Sequence, residues 1–169
     1  RGIFTLQAAA MLNALQGGQV LGEFRGVSPA ERDRLVAAMG DKLRVEESSW
    51  TLNLLVLFNV EKPPFDDVRV RKALLMAIDR WGGSQGLART SALRHVGGLV
   101  RPGSPYAIDP KELEKFPGFG RDIAKARAEA KKLLAEAGVP NLTFVLHNRS
   151  VAQPYTPAGV FLVDQWRQI

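Results

Sequence analysis

Apolar and polar positions alternate along the chain with two different periods, and together they predict an α/β order of elements. Residues 4–16 are rich in Ala and Leu and stop at Gly17-Gly18, as a helix does. Ser28-Pro29-Ala30-Glu31 predicts the next start: Ser as N-cap, Pro at the first helical position, Glu three residues beyond the cap. That helix runs to about Met39 and ends at Gly40. Val70, Ala73, Leu74, Ala77 and Ile78 fall on one face of a helix capped by Asp66 and ending at Asp79. Asp67 adds negative charge at the positive end of its macrodipole. A long helix follows over Arg121–Ala137, with an apolar stripe of Ile123, Ala126, Ala130, Leu133, Leu134 and Ala137. Lys125/Glu129 and Lys132/Glu136 are i,i+4 pairs on it. Gly138 and Pro140 stop it, and a final helix begins near Pro157 and runs on to Ile169.

The period-two segments predict strands at Gln19–Phe24, Leu43–Glu47, Trp50–Val60 and Leu142–Leu146, the third broken by Pro63-Pro64. Gly82 to Pro105 reads as a short helical piece followed mostly by loop. Helices and strands alternate, so the predicted class is α/β.

Composition narrows the function classes. At 169 residues and 46% hydrophobic, the chain holds one domain or two small ones with a true core. Apolar runs such as Leu54–Phe58 are far too short for a transmembrane helix. The absence of cysteine excludes disulfides, thiolate catalysis and zinc–thiolate sites. Lys plus Arg number 23 against 17 acids, a formal charge of +6. That balance keeps a basic nucleic-acid module as one alternative. The charges are dispersed, however, and the densest group, Arg69, Arg71 and Lys72, directly follows two aspartates.

A small hydrolase using His95 or His147 is the other alternative, and the inventory for it is thin. Gly82-Gly83-Ser84-Gln85-Gly86 has the Gly-x-Ser-x-Gly spacing but follows a predicted helix and not the strand that a nucleophile elbow requires, and the two histidines lack the carboxylate spacing of a metal site. Gly118-Phe119-Gly120 precedes a helix but lacks a third glycine and any Gly-Lys-Ser/Thr. The reading is of no catalytic residue, no cofactor and no metal. The chain starts at Arg1 and stops at Ile169 in what reads as mid-helix, which points to an excised piece of a longer polypeptide.

One stretch is more specific than the rest. It runs Phe58-Asn59, then Pro64-Phe65-Asp66-Asp67-Val68-Arg69-Val70-Arg71, then Ala77-Ile78-Asp79-Arg80. This resembles the signature of family 5 extracellular solute-binding proteins, the peptide, dipeptide and nickel receptors of ATP-binding-cassette importers. Ala14-Leu15-Gln16-Gly17-Gly18-Gln19-Val20 resembles the family's step before the hinge, with Leu21-Gly22 in place of the usual Asp. Lys132-Leu133-Leu134-Ala135-Glu136-Ala137-Gly138 resembles a later family helix, whereas Leu87 to Gly120 fits less well.

The resemblance implies part of a type II periplasmic-binding-protein fold: two lobes, each a mixed sheet with flanking helices, closing on a ligand. Residues 1–52 would end lobe I and lead to the hinge, and residues 53–169 would begin lobe II. The implied partners are a small solute or peptide, the remaining lobe segments of the same polypeptide and a membrane permease, with no nucleic acid. The implied location is periplasmic or extracellular, at the membrane through the transporter. In the family the strand before Phe-Asn shows alternate side chains to the cleft. That puts Asn53, Leu55 and Leu57 on the ligand side, with Trp50 near that surface. Trp50 is either a stacking wall or a buried hinge aromatic. Asn53 is either a ligand contact or a partner for backbone. Arg94, His95 and Arg101 lie in the loop that approaches the cleft mouth in the family, where they either favour peptide carboxylates or are simply solvated.

Overall fold

The computed structural model describes residues 7–23, 26–47, 53–91, 94–151 and 153–169. Helix α1 spans Ala8–Gln16 and α2 spans Pro29–Met39, followed by a 3-10 turn at Gly40–Lys42. Then come α3 (Val68–Met76), α4 (Arg80–Ser91), the short α5 (Pro110–Leu113), α6 (Ile123–Glu136) and α7 (Tyr155–Trp166).

The helix starts follow their caps. Ser28 and Glu31 form the reciprocal capping box: the Glu31 amide donates to Ser28 Oγ at 3.3 Å and the Ser28 amide to Glu31 Oε2 at 2.8 Å. For α3 the cap is Asp67, not Asp66: Asp67 Oδ1 accepts the Arg69 amide at 2.7 Å, and Asp66 Oδ1 accepts the Asp67 amide at 3.0 Å. Asp122 caps α6 by accepting the Lys125 amide at 2.9 Å. Of the two i,i+4 pairs on α6, Lys132–Glu136 closes to 3.8 Å. Helix α7 starts earlier than expected, at Tyr155, and ends at Trp166, so Ile169 lies beyond it and packs toward the core.

Two separate apolar cores form. The first gathers Leu12 and Leu15 of α1 and Leu35 of α2, with Val20, Val27, Met39 and Leu43 around them. The second centres on Val70, Ala73, Leu74 and Ala77 from the α3 region, Ala130 and Leu134 of α6, and Trp166 of α7. An aromatic chain runs across it, Phe58 to Phe65 (5.1 Å), Phe65 to Phe144 (5.4 Å, edge-on) and Phe144 to Trp166 (5.3 Å). The Trp166 indole N–H donates to the Leu74 carbonyl at 3.0 Å, so the one polar atom of that buried ring is satisfied.

The Asp79-Arg80 pair that closes the signature has a physical role at the junction of two helices. Asp79 Oδ1 accepts the Gly82 amide at 2.8 Å and so caps the start of α4. Arg80 Nη1 reaches back to the Leu75 carbonyl at 3.0 Å and also holds the Gly118 carbonyl, while its guanidinium lies 4.6 Å from the Phe119 ring centre. Burial lowers the Arg80 pKa to about 10. On the same helix end, Gln165 Oε1 accepts the Asp79 amide at 2.9 Å and Arg127 Nη2 at 2.8 Å. Arg80 Nη1 on the Leu75 carbonyl and Arg127 Nε on the Ala77 carbonyl (3.3 Å) take up free carbonyls at the C-terminal end of α3.

Several expected elements differ. Residues 82–91 are helical, inside α4, where loop was expected after a short helical piece. Two of the three glycines there are contact glycines: a Cβ on Gly83 would lie 2.2 Å from the Phe161 ring, and one on Gly82 would lie 2.3 Å from Asp79 Oδ2. Close approach of Phe161 on α7 accounts for glycine at position 83. Among the described residues no strand ladder forms, so the mixed sheet of the expected α/β class is absent there. At Gln19–Phe24 the backbone turns instead, since the Gln19 and Val20 amides both bond the Ala14 carbonyl at the end of α1. Phe24 itself, and residues 50–52 of the Trp50–Val60 segment, lie outside the described residues.

The two most apolar of the expected strands are nevertheless extended and keep their period. Val56 and Phe58 pack on the second core while Leu55 and Leu57 are 66% and 89% exposed. Leu142, Phe144 and Leu146 pack inward while Val145 is 76% exposed. Alternation sets which side chains turn inward, but a ladder also needs a neighbouring backbone. Neither stretch makes a backbone–backbone hydrogen bond to another described segment.

Candidate ligand-facing surface

The surface begins at Asn53, where the extended segment emerges from residues 48–52, which are not described. Asn53 Nδ2 donates to the Leu99 carbonyl at 2.8 Å. Its side chain thus holds backbone, the second of its two readings, and it pins the loop that carries Arg94, His95 and Arg101 beside the extended segment. Leu55 and Leu57 continue on the same phase of the alternation and are exposed. Trp50 lies outside the described residues.

Arg94 is not simply solvated. Its Nη1 donates to Glu47 Oε2 at 2.9 Å. The other oxygen of the same carboxylate accepts Arg32 Nη1 from α2. Arg32 also holds Asp33 through Nε at 2.8 Å. Two guanidinium groups from distant parts of the chain therefore share one carboxylate. Hydrogen bonding to Arg94, then to Arg32, holds the Glu47 pKa below the ordinary glutamate value, and Asp33 and Glu47 raise that of Arg32. Sequence reasoning missed both Glu47 and Arg32, since nothing local links residues so far apart. His95 and Arg101 are exposed.

His95 and His147 are both exposed, and among the described residues no group of three or more His, Asp or Glu is placed to hold a metal. No helix among them is long and apolar enough to cross a membrane.

Comparison with known proteins decides the family. The family described as "Bacterial extracellular solute-binding proteins, family 5 Middle" matches residues 3–169. The chain belongs to this family. Family 5 solute-binding proteins have the type II periplasmic-binding fold, which places this family 5 chain in that class. Curated relatives include the "Periplasmic oligopeptide-binding protein OppA" of Escherichia coli (strain K12). It is 40% identical over 81 residues, covering 47% of this chain and 14% of that protein. The "Probable di/tripeptide-binding protein 5" of Pseudomonas aeruginosa (strain UCBPP-PA14) is 32% identical over 117 residues, 69% of this chain and 20% of that protein. The "Probable deoxycholate-binding periplasmic protein YgiS" of Escherichia coli (strain K12) is 38% identical over 86 residues, 48% of this chain and 14% of that protein. The family 5 chain thus aligns with at most a fifth of the length of these relatives. No solved structure gives a significant match. The comparisons favour neither the nucleic-acid nor the hydrolase alternative.

Proposed function

We propose that this family 5 chain is part of the substrate-capturing component of an ATP-binding-cassette importer for peptides or related small solutes. It works outside the cytoplasmic membrane and passes its ligand to a membrane permease. The observation that carries the reading is the family match across residues 3–169, joined by relatives named for oligopeptides and for di- and tripeptides.

In this reading residues 1–52 end one lobe and residues 53–169 begin the other. The separation of the Leu12–Leu35 core from the Val70–Trp166 core supports that division. The extended stretches around Val56 and Phe144 become strands of the mixed sheet once neighbouring backbone joins them. Their inward–outward alternation supports this. Trp50, Leu55 and Leu57 then offer an apolar wall, Asn53 holds the loop in place, and Arg94, His95 and Arg101 offer positive charge to a peptide carboxylate. The ligand drives closure only through contacts that are better in the closed state. Shifting the population from 1:99 to 99:1 needs roughly 5.5 kcal/mol of such preference.

The test is calorimetry on the full-length polypeptide against a library of di- to oligopeptides, with small-angle scattering on the same samples. Saturable binding together with a fall in the radius of gyration is expected. A full-length polypeptide that binds no member of the library, or binds without compaction, refutes the reading. Residues 1–169 alone should bind at least about tenfold more weakly, a difference of about 1.4 kcal/mol, because one wall of the cleft is absent.

A further inference from the structure

The loop after α4 has an unusual charge balance. No Asp or Glu stands between Asp79 and Asp109, yet Arg80, Arg89, Arg94 and Arg101 fall in that span. Arg80 is occupied by carbonyls and by the Phe119 ring. Arg94 borrows its carboxylate from Glu47, far away in sequence, and that carboxylate is held at its second oxygen by Arg32. The two guanidinium groups approach from different elements and address different oxygens of one carboxylate. That is the geometry by which proteins recognise a carboxylate end.

We propose that Arg32 and Arg94 form a carboxylate clamp whose resident occupant, Glu47, gives way to the carboxylate of a bound solute. The clamp deepens the peptide-receptor reading and, as a statement about ligand, rests on it. Three features make Glu47 exchangeable. The side chains of Arg32, Glu47 and Arg94 are 31%, 42% and 41% exposed, so an incoming anion reaches them without unfolding. Exposed ion pairs of this kind hold weakly. Asp33 stays on Arg32 whichever carboxylate fills the clamp, so Arg32 keeps an ionic partner throughout the exchange. Glu47 then acts as an internal competitor that sets a threshold: ligands with a free carboxylate displace it, and ligands without one gain nothing from the clamp.

Two measurements on the full-length polypeptide test this. The first needs no peptide. Glu47→Ala opens a carboxylate-sized gap between the arginines, and the Nε–H signals of Arg32 and Arg94 are followed by NMR as acetate is added against chloride at equal ionic strength. Saturable, acetate-specific shifts are expected in Glu47→Ala and are expected to vanish in the Glu47→Ala/Arg94→Gln double variant. A folded Glu47→Ala protein without such shifts overturns the clamp. The second compares a peptide bearing a free C-terminus with its amide. Glu47→Gln should raise the free-acid-to-amide affinity ratio about tenfold, a shift of about 1.4 kcal/mol. Glu46→Gln, which removes the same charge one residue away, should change that ratio far less. An unchanged ratio in Glu47→Gln, an equal loss for both peptides, or an equal gain in Glu46→Gln overturns the proposal. If no peptide binds the parent protein, the peptide-receptor reading fails, and the acetate measurement alone decides the clamp.

Discussion

At the scale of single residues, Arg80 and Gly118 belong to one small device. Gly118 has φ +81°, and a Cβ there would sit 2.6 Å from the Leu75 carbonyl oxygen and 3.0 Å from Arg80 Nη1. Gly118→Ala therefore meets both a left-handed backbone and an occupied space, and should cost about 2–3 kcal/mol of unfolding free energy in urea. Arg80→Lys should cost a similar amount, about 2 kcal/mol, because a lysine ammonium is more strongly hydrated than the guanidinium it replaces at this partly buried site and does not stack on Phe119. An Arg80→Lys variant with the parent urea midpoint would show that the contacts are incidental.

Carboxylates on the surface set the response to acid. Hydrogen bonds from Arg69 hold the Asp67 pKa below its ordinary value, and Arg94 and Arg32 do the same for Glu47. A depressed folded-state pKa gives stability that is complete above the unfolded value, near 4, and lost as pH falls through the folded value. Stability of residues 1–169 should thus fall below about pH 4, and Asp67→Asn should flatten that fall while keeping an N-cap acceptor. Urea midpoints between about pH 5 and 2 measure it. An unchanged slope in Asp67→Asn would mean that the Asp67–Arg69 pair contributes nothing measurable.

The contact between α4 and α7 is decided at the scale of whole elements. Gly83 lies against Phe161, and a Cβ on Gly159 would lie 2.4 Å from Asn148 Nδ2, which donates to the Tyr155 carbonyl at 2.8 Å. Ala at either position gains helix propensity, worth about 1 kcal/mol on an isolated helix. In the folded protein the clash should outweigh it. Gly83→Ala should lower the thermal midpoint, whereas Gly86→Ala, with open space around it, should leave the midpoint unchanged or raise it. Equal behaviour of the two variants would remove the contact as the reason for glycine.

For the molecule as a whole, the two extended stretches are the described core-lining segments without regular backbone pairing. Their side chains are anchored on one face, but residues 53–58 and 142–146 make no backbone ladder among the described residues. Amide hydrogens there should exchange far faster in residues 1–169 than those of α3 and α6, and should become protected in the full-length polypeptide. Hydrogen exchange read by mass spectrometry distinguishes the cases. Fast exchange that persists in the full-length polypeptide would contradict their assignment as sheet strands. Leu57, exposed at 89%, would add to the same picture: Leu57→Ser should leave the stability of residues 1–169 within about 0.5 kcal/mol of the parent.

Local chemistry was enough to determine much of this. Ser28 with Glu31, and the stripe from Val70 to Ala77, specify their helices through neighbours within one or two turns, so they are legible without a fold. The 58–80 signature likewise pointed to the family that the match over residues 3–169 establishes. Asn53 was legible as a residue in need of a partner, though not that the partner is the Leu99 carbonyl. What tertiary structure alone decided depends on contacts between distant residues. Phe161 requires glycine at position 83, Gly118 and Leu75 give Arg80 its task, and Glu47 meets Arg32 and Arg94. Strand pairing belongs to the same class: a period of two orients side chains along one segment, while a ladder exists only where a second backbone arrives to share its hydrogen bonds.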